Sequence, residues 1–172
     1  GRSLSDINIH EVLERVRQII LAEFPKGLSF IRDYDVSVPT LRGDREQLLQ
    51  VFLNIEKNAA EALDGKIAEG TAEIRVITRV AQQVQIGLRR YRLALSIHIQ
   101  DNGPGVPPEI RDRIFYPLVT GKANGSGLGL SLAQNFIRQH DGSIDVESEP
   151  GKTDFRILLP LSPPETGDIS PA

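Results

Sequence analysis

The sequence predicts an α+β fold, a two-layer α/β sandwich in which a mixed β-sheet packs against about three helices. Three observations predict it. The stretches "TAEIRVITRVAQQVQI" and "RRYRLALSIHIQD" alternate apolar and polar residues and are rich in β-branched side chains, the pattern of a long, half-buried antiparallel pair. Other segments repeat apolar residues at helical spacing. The composition, 172 residues with 40% hydrophobic and 25% charged, is that of one domain with its own core.

The elements follow in order. "DINIHEVLERVRQIILAEF" places Ile9, Val12, Leu13, Val16, Ile19 and Ile20 at helical intervals and is closed by Pro25 and Gly27. "LSFIRDYDVSV" is expected as a strand ending at Pro39. In "GDREQLLQVFLNIEKNAAEALDG", Asp44 is the N-cap with Gln47 three residues on, and Leu48, Phe52, Ile55, Ala59 and Ala62 form the apolar stripe. After the two long strands, a short helix is expected around "PPEIRDRIF", then the polar segment "YPLVTGKANGSG". The last helix is "LGLSLAQNFIRQHDG", stopped by Gly142. "SIDVES" and "TDFRILLP" are strands joined across Pro150-Gly151, and "LSPPETGDISPA" is expected to be a disordered tail.

Composition also excludes. A formal net charge of -3 gives no global electrostatic case for nucleic acid or an anionic membrane surface. No apolar run reaches the roughly 18 residues of a membrane span, and no signal-peptide pattern opens the sequence. With no cysteine there are no disulfides and no thiolate chemistry. Starting at Gly1 and lacking Met, the sequence is expected to be a piece of a longer protein, with "GRS" foreign to it.

Three features bear on chemistry. Asn54 and Asn58, four residues apart, share one helix face beside the apolar stripe. Two such asparagines fit a solvated face, but an amide oxygen is also a ligand for a hard cation such as Mg²⁺. Asp101 ends a strand ahead of "NGPG". It is either the start of a plain Asx-turn loop or an acceptor for the exocyclic amine of adenine, with Gly103 and Gly105 letting the backbone come close. Gly125, Gly127 and Gly129 in "GSGLGLSLAQ" open a helix, where free N–H groups favour phosphate. The cluster is neither a dinucleotide-binding fingerprint nor a Walker A loop, since the spacings are wrong.

Taken in order, "NIEKNA", "DNGPG", "IFYPL" and "GSGLGL" resemble the N, G1, F and G2 boxes of the ATP-binding domain of sensor histidine kinases. The resemblance covers roughly residues 40 to 160. The stretch "FYPLVTGKANGSGLGLSLAQNFIRQHDGSI" and the long "RRYRLALSIHIQDNGPGVP" strand look most like nitrogen-regulation sensor kinases.

The resemblance implies a Bergerat ATP-binding fold holding ATP and Mg²⁺. Asn58 would bind the metal, supported by Asn54, and Asp101 would read adenine beside Gly103 and Gly105. Residues 116–126 would form a lid hinged near Phe115, Gly125 and Gly127. Ser126 and the backbone of Gly127, Leu128, Gly129 and Leu130 would cradle phosphate. Thr153 would be the polar residue on the adenine side. Lys122 either reaches the terminal phosphates, joining Asn58 as a catalytic group, or is a solvated lid lysine. Residues 1–27 would be a linker helix after a dimerisation domain lying outside this sequence, 28–160 the catalytic and ATP-binding domain, and 161–172 the tail. The implied reaction is transfer of the γ-phosphoryl group to a histidine on that dimerisation domain, then to a response regulator, in the cytoplasm. A PII-like signal protein is a further implied partner, with neither nucleic acid nor direct membrane contact.

The sequence departs from the pattern in places. ATP-hydrolysing relatives such as gyrase and Hsp90 place a Glu four residues before the Mg²⁺ asparagine, as base for water. Asn54 stands there instead, which disfavours an ATPase or a serine kinase of the same superfamily. A docking module without turnover is the other alternative. Glu56 and Glu61 are expected on the surface, although Glu56 occupies a position the family commonly fills with an aliphatic residue. Of His10, His98 and His140, only His10-Glu11 imitates a phosphoacceptor. No Asn-Pro follows it, so His10 is expected on a helix surface. His98 lies in a strand, and His140 at a helix C-terminus that favours a cation.

Overall fold

The computed structural model describes residues 3–116 and 129–166. Five strands form the main sheet in the order β2 (Leu28–Tyr34), β4 (Ala72–Ile86), β5 (Arg89–Asp101), β7 (Lys152–Pro160), β6 (Ser143–Glu149). β2 and β4 are parallel and every other pair is antiparallel, so the sheet is mixed. The parallel pair needs a crossover, which runs through α2 (Arg45–Ala62) and the short α3 (Asp64–Glu69). β1 (Leu4–Ile7) and β3 (Leu41–Asp44) make a separate two-stranded ribbon at the start of the helical layer. Neither short strand is expected from the sequence.

The helices α1 (Ile9–Glu23), α2 and α5 (Gly129–Gln139) form the second layer; α4 (Pro108–Arg111) is a single turn. α1 and α2 each start where a local cap dictates. Asn8 accepts from the His10 N–H at 3.0 Å, later than the expected start, because residues up to Ile7 are taken by β1. Asp44 accepts from the Gln47 N–H at 3.1 Å, the cap that the sequence predicts. α2 stops at Ala62 rather than running to Gly65, and α3 follows at once.

One core lies between the layers. Val12, Leu13, Val16 and Ile20 of α1 join Leu48, Val51, Phe52 and Ile55 of α2, Ala133 and Ile137 of α5, and the inward residues of β4, β5 and β7. The helix expected as a linker thus supplies side chains to the same core as the catalytic region. Ala62, expected on the buried stripe, is exposed, while Val51, Glu56 and Ala60 are buried. α2 is flanked by both α1 and α5, so its buried face is wider than a one-sided stripe.

Glu56 corrects the expectation most sharply. Its side chain is fully buried, and neither carboxyl oxygen has a hydrogen-bond partner. Burial, with the charge of Glu14 on α1 adding, pushes its carboxyl well above the usual range, which favours the neutral acid over the carboxylate. Glu61 is half-buried. His10, expected on an open helix surface, is half-buried, stacks on Tyr34 at 4.6 Å and pairs with Thr78 Oγ1 at 2.7 Å. Residues 161–165, expected within the tail, extend the pairing of β5: the Leu161 N–H donates to Leu93 and the Glu165 N–H to Arg90.

Candidate functional site

β5 delivers Asp101 at its last residue, on the face that the helices cover, opposite Thr153 of β7. Both are buried, at 8% and 5% exposure. The Gly103 N–H donates to Asp101 Oδ1 at 2.9 Å. Burial raises the Asp101 carboxyl to about 6, against the opposing effect of that hydrogen bond. A carboxylate so placed is an acceptor held ready at the edge of the core.

The loop after Asp101 is built by its glycines. A Cβ on Gly103 would stand 2.9 Å from Asp101 Oδ1 and 3.3 Å from Leu63 at the end of α2, so any side chain there would push the carboxylate aside. Gly105 has φ +87°, and a Cβ there would meet the Glu149 carbonyl at 2.7 Å. The loop is pinned to the β6–β7 turn, with the Gly151 N–H donating to the Gly103 carbonyl at 3.0 Å. Asn102 ties it to the start of β4, accepting from the Glu73 N–H at 2.8 Å and donating to the Thr71 carbonyl at 2.9 Å.

Ser148 completes this end, and the sequence reading misses it. Its Oγ accepts from the Val106 N–H at 2.7 Å and lies 3.2 Å from Thr153 Oγ1. The available signal is the hairpin register, in which Ser148 and Thr153 are direct partners.

On α2, Asn54 and Asn58 are half-buried on one face. Asn54 accepts from Gln50 at 2.6 Å and donates to the Gly129 carbonyl at 3.0 Å, so its amide joins α2 to the first residue of α5. Asn58 stands one turn further along. A Cβ on Gly129 would make ordinary contacts with Asn54 at 3.7 Å, so that glycine is not sterically required. Leu130 is half-buried on the first turn of α5. Lys122, Gly125, Ser126, Gly127 and Leu128, with the lid from residue 117 on, lie outside the described residues; of the expected lid only Tyr116 is described, 60% exposed. Phe115, the expected hinge, packs edge-on against Phe155 at 6.2 Å.

The arrangement therefore brings Asp101, Gly103, Gly105 and Thr153 to one end and Asn54, Asn58 and the start of α5 to the other, along α2. No group of three or more acidic, histidine or cysteine side chains among the described residues is placed to hold a metal. This donor set fits a cation that takes one neutral oxygen from the protein and the rest from phosphate and water, not an all-protein cage.

The family model described as histidine kinase-, DNA gyrase B-, and HSP90-like ATPase matches residues 43–163. The chain is 49% identical over 154 residues to the sensory histidine kinase/phosphatase NtrB of Salmonella typhimurium, covering 90% of this chain and 43% of that protein. It thus spans less than half the length of the curated relatives that it matches. The fold is that of the catalytic domain of histidine kinase ThkA, with TM-score 0.74 and 23% identity over 92% of this chain and 96% of that one. ThkA in complex with the response regulator TrrA aligns with TM-score 0.70 and 22% identity, over 92% of this chain and 42% of that one.

Proposed function

The chain belongs to the family of histidine kinase-, DNA gyrase B- and HSP90-like ATPases, and from that premise we propose that it is the ATP-binding catalytic domain of a nitrogen-regulation sensor kinase. The whole protein transfers the γ-phosphoryl group of Mg-ATP to a histidine on its dimerisation domain. A response regulator then takes the phosphoryl group onto an aspartate; the solved complex of ThkA with TrrA supports a response regulator as partner. The kinase works in the cytoplasm, with a PII-like signal protein as a further partner. No described helix is long and apolar enough to cross a membrane.

The observation that carries the nucleotide reading is the buried Asp101 carboxyl seated on Gly103 and facing Thr153. Asp101 accepts from the adenine amine and Thr153 assists on the same side. Asn58 supplies one oxygen to Mg²⁺, which neutralises charge on the phosphates when bound. Asn54 holds the start of α5 against α2, and the N–H groups of Gly129 and Leu130 face phosphate. Ser126, Gly127, Leu128 and Lys122 belong to the same proposal by their positions in the motif. The chain's own work is positioning and charge stabilisation, which suits phosphoryl transfer to an acceptor that is already nucleophilic.

Asn54 also weighs against hydrolysis. A carboxamide is no base for water, and its two hydrogen bonds hold it to Gln50 and Gly129; Glu56, the nearby acid, is buried toward Glu14 on α1. Calorimetric titration with a non-hydrolysable ATP analogue, with and without Mg²⁺ and beside the GTP analogue, tests the reading. Adenine-selective, Mg²⁺-assisted binding is expected, with Asn58→Ala losing the Mg²⁺-dependent part, roughly tenfold or more. Rapid phosphate release by the chain alone would instead favour an ATPase, and absent binding a docking module.

A further inference from the structure

α2 and α5 carry the two sides of the phosphate end, so that end depends on how the helices are held together. They run antiparallel and are joined at both ends. At one, Asn54 reaches the Gly129 carbonyl at 3.0 Å. At the other, Gln47 donates to Gln139 at 3.0 Å, and His140 closes the contact. The His140 Nδ1 lies 2.7 Å from the Phe136 carbonyl, and its Nε2 lies 2.9 Å from the Asp44 backbone nitrogen. A carbonyl only accepts and a backbone N–H only donates, so the imidazole is neutral with its proton on Nδ1. This replaces the expectation of a cation at the helix end.

The latch is tight. His140 is 8% exposed, and a Cβ on Gly43 would stand 2.9 Å from its Cδ2. Asp44, whose N–H the ring holds, is itself the N-cap of α2, and its side chain also accepts from the Ser3 N–H at 3.0 Å.

We propose that His140 is a positioning residue for the nucleotide site: its neutral imidazole anchors the C-terminal end of α5 to the first turn of α2. The opposite end of α5 then meets Asn54 and presents its N–H groups to phosphate. α5 is a rod of about 16 Å, so a tilt at the anchor is carried to the phosphate end. The proposal rests on the nucleotide reading above.

Two measurements test it. ¹⁵N NMR of the unaltered chain at neutral pH is expected to give the neutral Nδ1–H pattern for His140; an Nε2–H tautomer or an imidazolium overturns the latch. Calorimetry with the ATP analogue and Mg²⁺ is expected to show roughly tenfold weaker binding by His140→Leu, which leaves the Asp44 N–H without its acceptor. His140→Gln, whose Oε1 can reach that N–H, restores most of the affinity. Should the leucine variant not fold, His140→Asn, which can replace Nδ1 but not reach Asp44, serves in its place. Undiminished affinity in these variants, beside an unaltered chain that binds, overturns the proposal alone. No binding by the unaltered chain overturns the nucleotide reading and this proposal with it.

Discussion

Glu56 and Asp101 are both buried carboxyl groups, and both are held above the ordinary carboxylate range by burial. Their surroundings differ in kind. Asp101 has a backbone N–H aimed at one oxygen, a glycine under it and a hydroxyl across the strand, and its carboxyl reaches only about 6. Glu56 has no partner for either oxygen and a second acid, Glu14, nearby. At neutral pH Asp101, at about 6, is therefore mostly ionised and ready to accept, while the surroundings of Glu56 favour its neutral form. Burial alone does not make a site. An acceptor needs enough built polarity to stay charged while losing most of its water.

The largest effect expected from breaking this comparison is at Glu56. Glu56→Leu keeps the volume and removes a partnerless acid, so stability should rise by about 3–4 kcal/mol at pH 8. The folded value is raised, so the native state is penalised progressively as pH climbs above the unfolded value of about 4.3. The gain should accordingly be smaller at pH 4, and chemical denaturation at the two pH values measures it. An equal or lower stability would mean that Glu56 has a partner that the structure does not reveal.

Asp101→Asn is next. Its folded value of about 6 also lies above the unfolded value of about 3.9, so the charged form costs the native state about 2–3 kcal/mol above pH 6 and nothing below about pH 4. The variant should be more stable at pH 8 and unchanged at pH 4. Unlike the Glu56 change, it should also weaken ATP-analogue binding tenfold or more, since an amide N–H would confront the adenine amine. A stabilised variant that binds normally would separate Asp101 from the ligand.

The smallest effect sharpens the comparison by leaving the carboxyl in place. Gly105→Ala forces a side chain into a left-handed residue and toward the Glu149 carbonyl, at a cost of at least about 1–2 kcal/mol. Its effect on ATP-analogue affinity should exceed that of Glu56→Leu although its effect on stability is smaller. The same titrations check this ordering.

How much of this was legible in the sequence follows from the range of each interaction. The Asp44–Gln47 cap and the limits of β5 are local patterns, and both were readable. The glycines around Asp101 were readable because a glycine-rich loop after a strand is a local pattern, although the Glu149 carbonyl that crowds Gly105 is not. Glu56 was misread because α2 has helices on two sides, and a single stripe cannot reveal the second buried face. β1 and β3 span four residues each, too short for a period to appear. The neutral state of His140 depends on a backbone N–H 96 residues away, which no local pattern encodes.

The most direct test of the central claim is ¹³C NMR titration of the Asp101 and Glu56 carboxyls with and without the ATP analogue. Asp101 should titrate near 6 in the unliganded chain and fall when nucleotide binds, because the adenine amine favours the charged form. Glu56 should titrate well above the ordinary range and stay where it is. A nucleotide that bound without moving Asp101, or that moved Glu56 instead, would contradict the account.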